Sequence, residues 1–294
     1  MHVPVLLNEI KKHLAIAVGE TVVDATAGGG GHTAMLSEAV GKSGTVIALD
    51  ADADNLERTK EQIADTDAQT YFFHTNFQDI GKVLPEAGFQ SIDAILFDLG
   101  LSTMQLEESG RGFSFQKDEP LSMTFSTDPA DITAEVVVNE WDEENVADVL
   151  YGFGGERFSR RIAREIAQRR EQKRIRTTQE LVSIIESTVP KWYANRKVHP
   201  ATKTFQALRM AVNDEFGALQ RALADSFALL SSGGRSAVIS YHSGEDRIVK
   251  HFFKDKKDAG AGNMITKKPI QPSREEIIQN PRARSAKLRI FQKQ

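Results

Sequence analysis

The chain has 294 residues, of which 40% are apolar and 27% charged, with no cysteine and a formal net charge of -4. That length suffices for one large core, or for one core and a modest second domain. Disulfides, thiolate metal sites and cysteine nucleophiles are excluded outright. The N-terminal MHVPVLLNEIKKHL has too short an apolar run for a signal peptide or a membrane span, and no later run approaches eighteen apolar residues, so a cytoplasmic protein is expected.

Charge is unevenly spread. Residues 1–156 carry 8 basic and 28 acidic side chains, whereas residues 157–209 carry 14 basic and 4 acidic, and residues 210–294 carry 15 and 9. A compact basic stretch in an otherwise acidic chain suits contact with a phosphate backbone, although a solvated, salt-bridged helical face has the same composition.

In chain order, Thr21 to Asp24 reads as a short strand, followed by a glycine loop and a helix beginning near His32. TVIALDAD is a second strand ending at Asp50, residues 54–65 a helix, residues 70–77 a third strand, and Ile92 to Phe97 a fourth that ends at Asp98. This alternation predicts an α/β fold with a parallel sheet covered by helices. From 102 to 131 the periodicity stops, which predicts a structured loop or lid. Helical patterns then occupy 142–151, 156–171, 177–189 and 203–230, with the DPAD and NEWDEEN stretches read as N-caps. Strand character returns at 235–242, a helix follows from Glu245, and a Lys/Gly-rich loop covers 254–274. The expected organisation is a first part at 1–102, a helical basic insertion at 103–209, and a second part of the same doubly wound domain at 210–294.

The turn Asp24-Ala-Thr-Ala-Gly-Gly-Gly-Gly-His-Thr33 places Gly28, Gly30 and Gly31 where backbone must come close to a ligand, with His32 opening the helix. Asp50, at the end of the second strand, is placed to accept hydrogen bonds from two ribose hydroxyls. Dinucleotide and S-adenosylmethionine binders share this fingerprint. The loop's departure from GxGxxG, together with Asp98 at the end of the fourth strand, favours the latter. Phe77 is placed to shield an adenine. No G-K-[ST] follows the glycines, and the seven histidines form no HExxH or i,i+4 pair, so neither a Walker site nor a metal is expected.

The strings DATAGGGGHT, FDLGLSTMQLEESGRGFSF, YGFGGERFSRRIAREI, HPATKTFQALRMAVNDE, GGRSAVISYHSGEDRIVKHFF and NPRARSAKLR, in this order over nearly the whole chain, resemble the bacterial ribosomal RNA small subunit methyltransferase H family. The resemblance implies a class I methyltransferase, Rossmann-like sheet with an inserted helical domain. It also implies transfer of a methyl group from S-adenosyl-L-methionine to the exocyclic N4 of one cytosine in the decoding region of 16S ribosomal RNA, within the small ribosomal subunit or a late precursor. The cofactor would rest on Gly30, Gly31, His32, Asp50, Phe77, Asp98 and Gln105, with Gly28 supporting the loop; a homodimer is a further expectation from resemblance alone. Two places depart from the family: its PLDMRMD reads PLSMTFS at 120–126, and its SFHSLEDR reads SYHSGEDR, with Tyr241 and Gly244.

Cytosine N4 is a weak nucleophile because its lone pair is delocalised into the ring, so the enzyme must align it, localise that pair and accept a proton. Asp98 is the first choice for the amine's acceptor. Tyr241, His242, Glu245, Asp246 and Arg247, after the fifth strand, and Asn213 are the second set; an N-cap role for Glu245 and Asp246 competes. Methylation at cytosine C5 normally needs a thiolate, which this chain lacks. RNA contact is expected on Arg157, Arg160, Arg161 and Arg164, spaced as one helical stripe, and on Lys197 and Lys203, with Lys191, Arg196 and His199 nearby. Phe113, Phe115, Trp192 and Tyr193 are candidates for base stacking. The competing readings are a methyltransferase acting on another RNA or on a small molecule, and a non-catalytic assembly factor that retains the pocket.

Overall fold

The computed structural model describes residues 4–102, 105–106, 109–125 and 131–294, which form two compact units. The first consists of the chain up to Gly100 together with Phe216–Gln294; the second is Leu101–Glu215.

The first unit is built on one seven-stranded sheet: β1 (Thr21–Asp24), β2 (Thr45–Asp50), β3 (Gln69–His74), β4 (Ile92–Asp98), β5 (Leu230–Ser240), β6 (Gly262–Met264) and β7 (Lys287–Lys293). Their order is β3-β2-β1-β4-β5-β7-β6. Strands β1 to β5 are parallel, and β7 runs antiparallel between β5 and β6. Successive residues point to opposite faces, and both faces are covered. Val23, Ile47, Ile95, Phe97 and Val238 pack with residues of the helices Ile80–Glu86, Glu215–Leu229 and Ser243–Asp258. Val22, Val46, Ala94, Leu96 and Ala237 pack with those of Leu7–Leu14 and Gly31–Val40. Burial on both sides is why these strands read as unbroken apolar runs. It also leaves the carboxyl ends of β1, β2 and β4, each an aspartate, as the polar rim where the strand order reverses.

The second unit is helical. Ala134–Glu140, Glu143–Gly152, Ser159–Gln172, Thr178–Thr188, Lys191–Ala194 and Thr202–Val212 enclose a core that includes Val137, Leu150, Ile162, Ile166, Leu181, Ile185 and Leu208. Thr177 and Glu180 form a capping box at the head of Thr178–Thr188, satisfying two otherwise orphaned backbone donors. Thr133 caps Ala134–Glu140. The expected DPAD cap falls mostly on 128–130, outside the described residues, as do 103–104, 107–108 and Ser126. In NEWDEEN, Asp142 stands at the N-cap position without a side-chain capping bond.

Several expected boundaries move. The helix expected over 203–230 is two, Thr202–Val212 and Glu215–Leu229, broken at Asn213 and at Asp214, whose φ is +44°. The helical unit runs to Glu215, past the expected 209, because the Thr202–Val212 helix continues beyond that point and its Ala211 and Val212 pack against the unit's core. The third strand stops at His74, and Phe77 opens a short 3-10 turn capped by Asn76. The segment 254–274 is not all loop: the Ser243–Asp258 helix runs through its start and β6 crosses it.

Candidate active site

The glycine turn is shaped by backbone strain relieved only by glycine. Gly28 and Gly30 sit at φ +55° and +82°, and Gly30 N–H donates to Ala27 O at 2.9 Å to close the turn. Gly30 and Gly31 have a packing reason as well: a Cβ would lie 2.9 Å from Gln62 Cβ in the first case and 2.4 Å from Pro4 Cγ in the second. Gly29 is different. A Cβ there would meet nothing within 4 Å, so the outer face of the turn is open to a ligand at the N-terminus of the ten-residue helix Gly31–Val40.

Asp50 anchors the turn from β2. Its Oδ2 accepts from Gly28 N–H at 2.8 Å, and its Oδ1 accepts from Asp52 N–H at 2.8 Å and Asn55 Nδ2 at 3.1 Å. Burial pushes this carboxyl up to about 6, while the three donors pull against it. Three bonds leave lone-pair capacity on a carboxylate, which offers about four acceptor sites. Asp50 is not fully buried.

Asp98 ends β4 between two neighbours. Tyr241, following β5, donates its hydroxyl to Asp98 Oδ1 at 2.8 Å, and His32 Nε2 stands 3.4 Å from Oδ2. Asp98 N–H donates to Thr26 Oγ1 at 2.7 Å, so both main chain and side chain are fixed, and the carboxylate is 23% exposed. Burial opposes charge on His32, but the carboxylates of Asp98 and Asp24 outweigh it and raise its pKa. Its Nδ1 is buried and has no hydrogen-bond partner among the described residues. The Tyr241 hydroxyl is pushed far up, first by burial and then by the charge of Asp98, so it stays a donor.

Sequence reasoning missed the supports beneath these groups. Asp24, fully buried, accepts from Thr33 Oγ1 at 2.7 Å and Thr26 N–H at 3.2 Å, and burial raises its pKa. Thr59 Oγ1 donates to Gly28 O at 3.1 Å and ties the glycine turn to the Ala53–Gln62 helix. The signal was present in the threonines flanking the glycines, but only the fold shows which oxygens they meet.

The 241–247 cluster divides. His242 is the N-cap of Ser243–Asp258: its Nδ1 accepts from Gly244 and Glu245 N–H, and Glu245 Oε2 accepts from Tyr241 and His242 N–H in return. Asp246 is held by Arg289 at 2.7 Å and Lys287 at 3.4 Å, both on β7; despite burial, these cations lower its pKa. Arg247 is exposed. Of this set, Tyr241 reaches Asp98 through a described hydrogen bond, while His242 and Glu245 form the helix cap and Asp246 pairs with β7. Gly244 also has a local reason, since a Cβ would lie 2.4 Å from Phe216 Cζ. Phe77 is partly buried, edge-on to Phe97 at 5.9 Å between ring centres.

In the helical unit, Gln105 is buried and its Oε1 accepts from Ser102 N–H at 3.0 Å. Asn213 binds no open space: its Oδ1 accepts from Phe125 N–H at 2.8 Å, and its Nδ2 donates to Met123 O and Arg209 O at 2.8 Å each. It staples the 121–125 segment, where Met123 sits at φ +54°. Arg157, Arg160, Arg161, Arg164, Lys197 and Lys203 are all exposed. Arg164 lies 3.7 Å from Glu143, and Lys203 Nζ donates to Gly155 O at 2.9 Å.

Comparison with known proteins gives these features a setting. The family model described as the MraW methylase family matches residues 1–294. The chain belongs to the MraW methylase family. Relatives named ribosomal RNA small subunit methyltransferase H include one from Brevibacillus brevis, 40% identical, covering 99% of this chain and 98% of that protein. Another, from Neorickettsia sennetsu, is 45% identical and covers 100% and 96%. A third, from Koribacter versatilis, is 46% identical and covers 98% and 92%.

The methyl donor of this methylase is S-adenosylmethionine. The residues present fit it: an open glycine turn at a helix N-terminus, an accepting carboxylate on Asp50 suited to ribose hydroxyls, a second on Asp98, and a buried unpaired nitrogen on His32.

Proposed function

We propose that this methylase transfers the methyl group of S-adenosylmethionine to the exocyclic N4 of a cytosine in the decoding region of 16S RNA, in the small ribosomal subunit or a late precursor of it. The substrate class is supported by full-length similarity to relatives whose names specify small-subunit ribosomal RNA. The helical, basic unit is read as the RNA-recognition part, using Arg157, Arg160, Arg161, Arg164, Lys197 and Lys203. No helix among the described residues is long and apolar enough to cross a membrane, and a cytoplasmic location is part of this reading.

One observation carries the choice of an amine acceptor: Asp98 Oδ1 accepts from the Tyr241 hydroxyl and its Oδ2 faces His32 Nε2 at 3.4 Å. Each oxygen retains a lone pair, so the carboxylate can accept from an N4–H, concentrate the amine's electron density on nitrogen and hold it in line for attack. When bound, S-adenosylmethionine supplies a methyl carbon already activated by its positive sulfur. Tyr241, locked in its protonated form, orients Asp98 and takes no proton. The departing N4 proton passes toward Asp98 or solvent. Gly28, Gly30, Gly31, His32 and Asp50 hold the donor, and Phe77 shields its adenine. With no cysteine to add at C6, the C5 position of cytosine is closed to the usual chemistry.

The test is methyl incorporation from labelled S-adenosylmethionine into purified small subunits lacking the modification, followed by nucleoside mass spectrometry. N4-methylcytosine at one decoding-region position is expected. A labelled product at another atom refutes the N4 assignment. No product, with cofactor binding intact and a related active enzyme methylating the same subunits, refutes the substrate or the activity.

A further inference from the structure

The helical unit displays an aromatic cluster that the methyl-transfer machinery does not use. Trp192 is 52% exposed, within the short helix Lys191–Ala194. The guanidinium carbons of Arg157 and Arg196 lie 5.2 and 5.0 Å from its ring centre. Arg196 also lies 5.0 Å from the ring of Tyr193, and Arg157 lies 5.1 Å from that of Phe158.

The wall behind Trp192 is rigid. Tyr193 is buried, edge-on to Trp192 at 5.8 Å and to Phe158 at 4.9 Å. Its hydroxyl donates to Glu156 Oε2 at 2.6 Å, and Glu156, fully buried, also accepts from Phe158 N–H at 2.8 Å. An indole backed in this way yet half open to water forgoes burial that a core tryptophan would gain. The guanidiniums of Arg157 and Arg196 stand over its ring, where their planes are suited both to stacking against a base and to phosphate oxygens. The surrounding stretch, 157–209, carries 14 basic and 4 acidic residues, so its electrostatic complement is a polyanion.

We infer that Trp192, flanked by Arg157 and Arg196, is a stacking site for one unpaired base of RNA, with the two arginines and Lys197 on its flanking phosphates. This rests on the reading that the substrate is RNA. It goes further by naming a single-stranded nucleotide bound away from the methyl-acceptor site. A base inside a duplex has no free face to offer an indole, whereas a loop or end does.

The chain has two tryptophans, so Trp141→Phe makes Trp192 the sole reporter. The probe is an unstructured single-stranded RNA of twelve nucleotides, with a duplex of equal length as the contrast, and emission is followed through the titration. Single-stranded RNA is expected to quench Trp192 and duplex RNA to leave it unchanged. Read by the anisotropy of the same RNA carrying an end-attached fluorophore, Trp192→Ala should weaken single-strand affinity about tenfold or more, with Trp192→Phe restoring it to within about threefold. The inference is overturned if single-stranded RNA binds without quenching and Trp192→Ala binds within twofold of the parent, or if duplex quenches equally. Quenching by single-stranded RNA with no methylation of small subunits would sink the proposed reaction and leave the stacking site standing. Normal subunit methylation, with neither quenching nor a loss of single-strand affinity in Trp192→Ala, would sink the stacking site alone.

Discussion

Asp50 offers a sharp test of the cofactor site through pH. In the ligand-free folded chain burial lifts its carboxyl from 3.8 to about 6. Because the folded pKa is raised, Asp50's contribution to stability is fully present below about 3.8 and is lost as pH rises through about 6. Binding has the opposite preference: ribose hydroxyls donate to the ionised carboxylate, so the cofactor selects the form that prevails above that pKa. With a pKa about 6, the carboxylate is about nine-tenths ionised at pH 7 and about one-tenth at pH 5, so the Kd for S-adenosylmethionine should weaken about tenfold between them. Replacing the carboxylate by an amide should remove most of that dependence. It should also cost at least about tenfold in affinity at pH 7, the scale of one hydrogen bond to a charged acceptor. The assay is calorimetric titration of Asp50→Asn and the parent at pH 5, 6, 7 and 8, with unfolding followed in parallel. An identical pH slope in both proteins, with both folded, would refute the assignment of the ribose hydroxyls to Asp50.

Three other sites give separate expectations. Tyr241→Phe removes the donor that fixes Asp98 and should lower kcat about 10- to 100-fold while changing cofactor Kd by less than about threefold; single-turnover methyl transfer and calorimetry distinguish this from a binding defect. Asn213→Ala breaks three hydrogen bonds and unpins Met123 to Phe125, which should destabilise the protein by about 2–4 kcal/mol, read from the midpoint of urea unfolding. Tyr193→Phe strips one donor from the fully buried Glu156 and should cost about 1.5–3 kcal/mol, read from the midpoint of urea unfolding.

Much of the sheet was legible because both of its faces are buried. β1, β2 and β4 are short apolar runs that each end at an aspartate, and a doubly covered parallel strand has no other sequence signature. The third strand's end was misplaced because FFHTNF stays aromatic past His74, while the chain turns at Asn76 through a side-chain cap that periodicity does not register. The long pattern over 203–230 hid a break for a similar reason. Asn213 and Asp214 are tolerable within a helix by composition, but Asn213 spends its amide on Met123 and Phe125, some ninety residues away in sequence.

The site shows the same division. Local sequence determined the glycine turn, Asp50 and Asp98, since a tight turn, a strand end and a helix start lie within one stretch of chain and each demands particular residue types. Long-range pairing decided the rest. Glu245 and Asp246 look alike as neighbouring acids after a strand, yet one closes a helix cap and the other neutralises Arg289 across the sheet. Tyr241 gains its role only because β4 and β5 lie side by side, with Asp98 opposite Ile239, which brings a hydroxyl 143 positions away to within 2.8 Å of a carboxylate. A side chain's type and local spacing are written in the chain, but which partner satisfies its hydrogen bonds depends on contacts between distant segments, and these exist only once the sheet has formed.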